Sequence, residues 1–296
     1  IGGAGVEGTT ASSEGVMAGY GFQIDLNTSF TGEDSFDVSL DAGNAGTDGV
    51  AEFDLNSGGD GLTVDGISYT FPVGGATVLV GDTVDGSSLF STACVYGGPS
   101  NTLDDCGNVN AAFVGSGTTL AASYDFDNGF TAALGYAGDG ASTSGLMTSQ
   151  GSDSYGANVA YTADTYGVSV SYAMVEDAAG LDDTYTAVNA FWTPDGFPSI
   201  SVGYEWGDDG SAASTADELT SYFVGIQTEV GPGTAGAALG TKTPTAEGSS
   251  ELLMYEAFYS YDINDGMTIT PLVYVKEFAT GTDDETGVMV KTSFSF

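Results

Sequence analysis

Apolar and polar residues alternate with a period of two in sixteen separate stretches of this chain, and that pattern more than any other limits what it can fold into. A period of two is the signature of a strand, whose successive side chains point to opposite faces. In the closing stretch ETGVMVKTSFSF, Val288, Val290, Thr292, Phe294 and Phe296 share one face, and Gly287, Met289, Lys291, Ser293 and Ser295 share the other. Tyr20, Phe22, Ile24 and Leu26 do the same near the start, as do Tyr166, Val168, Val170 and Tyr172 in the middle. Ala51, Phe53 and Leu55, opposite Glu52 and Asp54, are predicted to form a strand as well.

The connections carry a second regularity. Short turns bearing Gly or Asp, such as DFDNG at 125–129, VGPG at 230–233 and DINDG at 262–266, alternate with longer polar segments. Such turns suit hairpins. A strict alternation of short and long trims one end of a sheet and elaborates the other, which a sandwich has no reason to do and an outer-membrane barrel does. No run of about 18 apolar residues occurs, which excludes a spanning helix but not spanning strands. Aromatic residues sit at the ends of many apolar faces (Tyr136, Tyr155, Tyr161, Tyr166, Tyr172, Trp192, Trp206, Tyr261), with small aliphatic residues between them, as at membrane–water interfaces. The predicted fold is all-β: a 16-stranded antiparallel transmembrane β-barrel with short periplasmic turns and longer external loops. It is read as one domain over 1–296, with 1–15 as a lead-in. The chain opens at Ile1 rather than Met, as expected of a mature or truncated form.

Charge narrows the partners. With 41 acidic residues against three lysines, no arginine and a formal net charge of -38, phosphate recognition lacks its usual donors and nucleic acid is excluded as a partner. Cations are the natural electrostatic complement; an acidic surface suited to salty water is the plainer reading of most loop carboxylates. No arrangement of nucleophile and base is present, and the chain has no His, so it is read as not an enzyme and as needing no cofactor.

The longest unpatterned stretch, about 83–116, is expected to fold inward and narrow the channel; the alternative is that it lies over the rim. It holds Cys94 and Cys106, whose spacing is poor for zinc and suits a disulfide in an oxidising compartment, the alternative being two free thiols. Parity places Asp25, Asp37, Asp41, Glu52, Asp54, Asp125, Glu205 and Glu256 on the lumen side, with Lys276 and Lys291 as the basic lining. Carboxylate rings favour cations. The acidic loops GDGASTSG (138–145) and GDDGSAASTADE (207–218), with Asp208 and Asp209, are read as loose sites for Ca²⁺ or Mg²⁺.

Two stretches carry a family resemblance. LNTSFTGEDSFDVSLDAGN (26–44) resembles the opening hairpin of cyanobacterial outer-membrane iron-uptake porins, relatives of the carbohydrate-selective porins. MYEAFYSYDINDGMTITPLVYV (254–275) with KTSFSF (291–296) is similar to their last strands. The resemblance implies a homotrimeric pore in the outer-membrane bilayer for ions, inorganic metal ions and small solutes, with both termini periplasmic. It also implies contact with the cell-wall polymer only through an N-terminal domain outside this sequence. Where such porins carry Arg and Lys in the opening hairpin, this chain has Glu33, Asp37 and Asp41, which points to cation preference. The rival reading is a secreted or surface-layer, calcium-dependent β-rich adhesin.

Overall fold

The computed structural model describes residues 3–6, 16–45, 51–55, 59–139, 145–148, 151–176, 182–210, 218–278 and 284–295. Sixteen antiparallel strands form one sheet. The first is β1 (Gly3–Val6), and β2 runs as Val16–Gly19 and Gly21–Thr28 with a break at Tyr20. They are followed by β3 (Ser35–Gly43), β4 (Gly59–Val73), β5 (Ala76–Asp85), β6 (Ser116–Asp125) and β7 (Phe130–Gly138). Next come β8 (Asp153–Thr162), β9 (Tyr166–Glu176), β10 (Asp182–Trp192), β11 (Ser199–Asp208) and β12 (Glu218–Val230). The set ends with β13 (Gly233–Thr241, resumed at Thr245–Ala246), β14 (Leu253–Asn264), β15 (Met267–Lys276) and β16 (Glu285–Phe294).

Each strand pairs with its sequence neighbours, and β1 pairs with both β2 and β16, so the sheet closes on itself. Among the described residues the seam runs through the four residues of β1, paired with Val16–Gly19 on one side and Val288–Lys291 on the other. At Tyr20, where β2 breaks, Asn44 spans the gap: its Oδ1 accepts from Tyr20 N at 2.9 Å and its N donates to Tyr20 O at 2.9 Å.

The number of strands agrees with the sequence pattern, but one member differs. Ala51–Phe53 is a short 3-10 turn, not a strand. Phe53 is fully buried inside the barrel, where a lone aromatic in a tight turn reads like a strand position. The sixteenth strand is instead β1, within the stretch taken as a lead-in. Phe296, residues 140–144 of the first acidic loop and residues 211–217 of the second lie outside the described residues.

The outward face is apolar and open. Val159, Val168, Val170, Val202, Val224 and Ile226 are all exposed on alternate positions of β8 to β12. Tyr166 and Tyr172, and likewise Tyr255 and Tyr261, stand six residues apart on one strand, roughly 20 Å along it. They bracket an aliphatic band as two aromatic rows. At the short-turn end, Phe130 faces Tyr161 across strands with ring centroids 4.7 Å apart, and Tyr161 meets Tyr166 at 5.9 Å. Tyr136 departs from the expected row: it is buried, and its hydroxyl donates to Asp153 Oδ1 at 2.6 Å beneath Leu146 and Met147.

Candidate functional site

The inward face belongs to the residues between those apolar positions, and the segment from 86 to 115 lies against it. Asp85 closes the neck of this loop. Its Oδ1 accepts from Ser87 N and Oγ, both at 2.8 Å, and from Val114 N at 3.1 Å. The outgoing limb is extended, so every second N–H turns toward the wall. Ser91 N donates to Asn158 Oδ1 at 3.0 Å, Ala93 N to Ser169 Oγ at 2.9 Å, Val95 N to Ser201 Oγ at 3.0 Å and Gly97 N to Gln227 Oε1 at 2.8 Å. Those acceptors come from β8, β9, β11 and β12 in turn. A buried N–H without a partner is costly, so the ladder fixes the limb in both place and register.

The returning limb is held as firmly. Asn189 Nδ2 donates to the Cys106 carbonyl at 2.9 Å, and Glu205 accepts from Asn110 N, Asn110 Nδ2 and Ala111 N, each at 2.8 Å. Cys94 and Cys106 are joined in a disulfide that ties the two limbs together. Glycine makes room for this backbone on the wall. A Cβ at Gly135 would collide with the Gly86 carbonyl oxygen, and one at Gly203 with that of Cys106.

Beyond the disulfide the loop tip enters an apolar core inside the barrel. The Tyr96 ring packs 5.2 Å from Phe223 and 5.7 Å from Phe258, and its hydroxyl donates to Glu256 at 2.6 Å. Leu103 and Phe53 join inward-facing Met254, Leu272 and Met289 in the same cluster. Glu52, on the turn that delivers Phe53, pairs with Lys276 and accepts from Thr102 Oγ1 at 2.7 Å and Thr102 N at 3.2 Å. The side of the lumen bounded by β8 to β15 is therefore filled by loop and wall side chains.

The other side is open. Asp25, Asp37, Asp41 and Asp65 project from β2, β3 and β4 with their carboxylates at least partly exposed. Neutral donors orient the first three: Ser39 Oγ donates to Asp25 at 2.7 Å, Gln23 Nε2 to Asp25 at 2.9 Å, Ser35 Oγ to Asp37 at 2.7 Å and Thr63 Oγ1 to Asp41 at 2.5 Å. Such partners leave the negative charge in place. The loops add exposed Asp54, Asp104 and Asp105, and half-buried Lys291 of β16 lies within range of the Asp54 and Asp104 charges.

Several residues expected to line the water path do otherwise. Glu205, Glu256 and Glu52 are 2%, 4% and 5% exposed, because the loops cover the inward positions they occupy. They serve as hydrogen-bond anchors. Lys276 is spent on Glu52. Asp125 sits at the short-turn rim, where its Oδ1 accepts from Asp127 N at 2.8 Å. Asp54 lies in the turn after Phe53, with a left-handed φ of 48°. Asp208 accepts from Gly210 N at 2.9 Å in a local turn; Asp209 is half-buried beside it. Among the described residues no group of three or more His, Cys, Asp or Glu side chains is placed to hold a metal ion. Asp65, Asp104 and Asp105 were not expected on the path. Asp65 escaped a parity reading because it is a bulge: Ser39 pairs with Gly66 and Leu40 with Val64, which leaves Asp65 as the extra residue.

Comparison with known proteins places the architecture. No protein-family profile and no curated protein matches the chain. Solved structures do. A loop-deleted form of OmpT, an outer membrane protein of Vibrio cholerae, superposes with a TM-score of 0.69 at 12% identity, over 99% of this chain and 96% of its own. OprB of Pseudomonas putida gives 0.71 at 10% identity, over 100% and 92%. A mutant of the Rh. blastica porin gives 0.60 at 19% identity, over 100% and 98%. The chain has the fold of a porin-type β-barrel; likeness at these identities is likeness of fold.

Proposed function

We propose that this chain is an outer-membrane pore that passes ions and small hydrophilic solutes by passive diffusion, prefers cations and performs no chemistry on what it carries. The observation that carries the reading is the pairing of two faces on one closed sheet. An outward apolar band between aromatic rows fits lipid, and an inward half-lumen lined by Asp25, Asp37, Asp41 and Asp65 fits water and cations. A secreted adhesin would have to hold that apolar band in water, which a soluble protein does not sustain.

The resemblance to cyanobacterial iron-uptake porins supports taking the reading further, to inorganic metal cations as solutes and to a homotrimer in the membrane. The short-turn rim, where β16 ends and β1 begins, is assigned to the periplasm on the same ground. Loose Ca²⁺ or Mg²⁺ at the acidic loops remains part of the proposal, as a diffuse cloud rather than a bound cofactor.

The test is a planar bilayer recording of the detergent-purified protein in a tenfold KCl gradient. The expected result is a reversal potential of the sign given by K⁺ crossing more easily than Cl⁻. Anion preference would refute the electrostatic half of the proposal, and absence of conductance would refute the pore.

A further inference from the structure

The hold of the barrel wall on the long loop is interrupted at the tip. The outgoing ladder ends with Gly97 N on Gln227, and the wall takes hold again at Cys106, whose carbonyl accepts from Asn189 Nδ2 at 2.9 Å. Between these points three donors of the tip converge on one residue from another part of the chain. Thr102 Oγ1 donates to Glu52 Oε1 at 2.7 Å, Thr102 N to Glu52 Oε2 at 3.2 Å and Asn101 N to Glu52 O at 3.4 Å. Leu103, the next residue, is buried in the same apolar cluster as Phe53.

Glu52 belongs to the connection between β3 and β4, two strands of the open wall. Its ion-pair partner Lys276 is on β15, and β16, β1 and β2 stand between β15 and β3 in the sheet. The turn therefore reaches from the open wall past three strands to the filled half. It is seated there by Phe53, which is fully buried, and by the ion pair, whose Lys276 and Glu52 side chains are 14% and 6% exposed. Sealing the lumen would need only Phe53 and apolar neighbours. A carboxylate so placed carries a desolvation penalty, and what it adds is a fixed direction for the groups bonded to it.

We propose that Glu52 is a positioning residue for permeation: through it the connection between β3 and β4 holds the tip of the long loop, so that two loops rather than one set the size of solute the open half admits. The inference rests on the pore reading above and adds to it a residue and a size limit. Glu52 has two separable tasks. Its charge answers Lys276, and its oxygens answer Thr102. In E52Q/K276M the ion pair is gone, no buried charge is left alone, and the amide still offers Thr102 an acceptor. In E52A/K276M the ion pair is equally gone, and the acceptor with it.

The experiment compares the wild type with these two variants by single-channel recording in planar bilayers and by liposome swelling in neutral sugars of increasing size. E52Q/K276M is expected to keep the wild-type current noise and size limit. E52A/K276M is expected to flicker into a wider substate, with an occupancy raised roughly tenfold by the loss of two tip hydrogen bonds. It is also expected to admit sugars that the wild type excludes. Double variants indistinguishable from each other, whether both quiet or both noisy, overturn the inference while leaving the pore intact. A wild type without conductance or swelling would instead be failure of the pore reading. Should E52A/K276M not assemble, T102V removes the 2.7 Å bond alone and is expected to show part of the same noise and size shift. A T102V channel identical to the wild type would overturn the inference as well.

Discussion

The two halves of this lumen are built from the same kind of strand and end in opposite states. In β8 to β15 the inward residues are covered: Ser201, Asn158 and Ser169 spend their polar atoms on loop N–H groups, and Phe223, Phe258 and Met254 close over Tyr96. In β2 to β4 the inward residues meet water, and Asp25, Asp41 and Asp65 keep their charge toward it. A strand's inward polar residue is therefore not by itself a channel residue. What decides is whether a loop N–H reaches it. Glu205 and Asp41 would look alike on a strand diagram, yet one is a bolt and the other a lining.

Substitutions should separate the halves. The largest effect is expected for Phe223→Ala, which opens a cavity under Tyr96 and should cost about 3–5 kcal/mol of stability in detergent, read by denaturant or heat. A cost below about 1 kcal/mol would mean that Phe223 and Tyr96 do not form a closed core. Next is Glu205→Ala, which strands three donors and should cost roughly 2–4 kcal/mol while raising open-channel noise as the returning limb loosens. Quiet channels of wild-type stability would show that the bolt is not needed.

Acid should act on the two halves with opposite signs. Asp34, in the turn between β2 and β3, accepts from Ser29 Oγ at 2.6 Å, Tyr69 Oη at 2.6 Å and Thr31 N at 2.8 Å, which holds it well below the usual carboxylate range. Its folded pKa is depressed, so its stabilisation is present at neutral pH and is lost as pH falls below about 4. Asp104 and Asp105 are raised, so the folded state gains on acidification from about 7 downward until the unfolded chain also takes up the protons. The melting temperature is expected to rise slightly from pH 8 to 5 and to drop below pH 4, with Asp34→Asn removing part of that drop. A melting temperature that falls steadily from pH 8 would contradict the sign at the tip. Smallest in stability is Asp65→Asn, within about 0.5 kcal/mol. Its signature is in the recording, a reversal potential nearer zero at pH 7.5; an unchanged value would take Asp65 off the path.

Much of the barrel was legible because its two rules are local. Alternation follows from strand geometry, and short–long turns follow from hairpin chemistry, so fifteen of the sixteen strands could be read from their own residues; the count agreed because the expected strand at 51–55 stood in for the missed β1. The lumen was not legible in the same way. Phe223, Phe258 and Met289 lie on the parity otherwise filled by Ser, Gly and Asn, and their partners are 100 or more residues away in the loop. Glu256 meets Tyr96 across such a distance, and nothing near it in sequence marks the meeting. Asp65 was hidden by a bulge, and Asp104 and Asp105 by lying in a stretch without period. The loop itself was given away by its length without period, and the tie between Cys94 and Cys106 makes a hairpin of the segment.

The most direct test of the divided lumen is thiol access during conduction. Both native cysteines are tied in the disulfide, so a single added thiol reports alone. Thr63→Cys in β4 and Ser221→Cys in β12 stand on inward positions of opposite halves, the first exposed and the second 1% exposed. With a water-soluble charged methanethiosulfonate added during bilayer recording, Thr63→Cys is expected to react within the recording and shift the current stepwise, and Ser221→Cys to remain silent. Comparable reaction at both positions would contradict a lumen with one filled half and one open half.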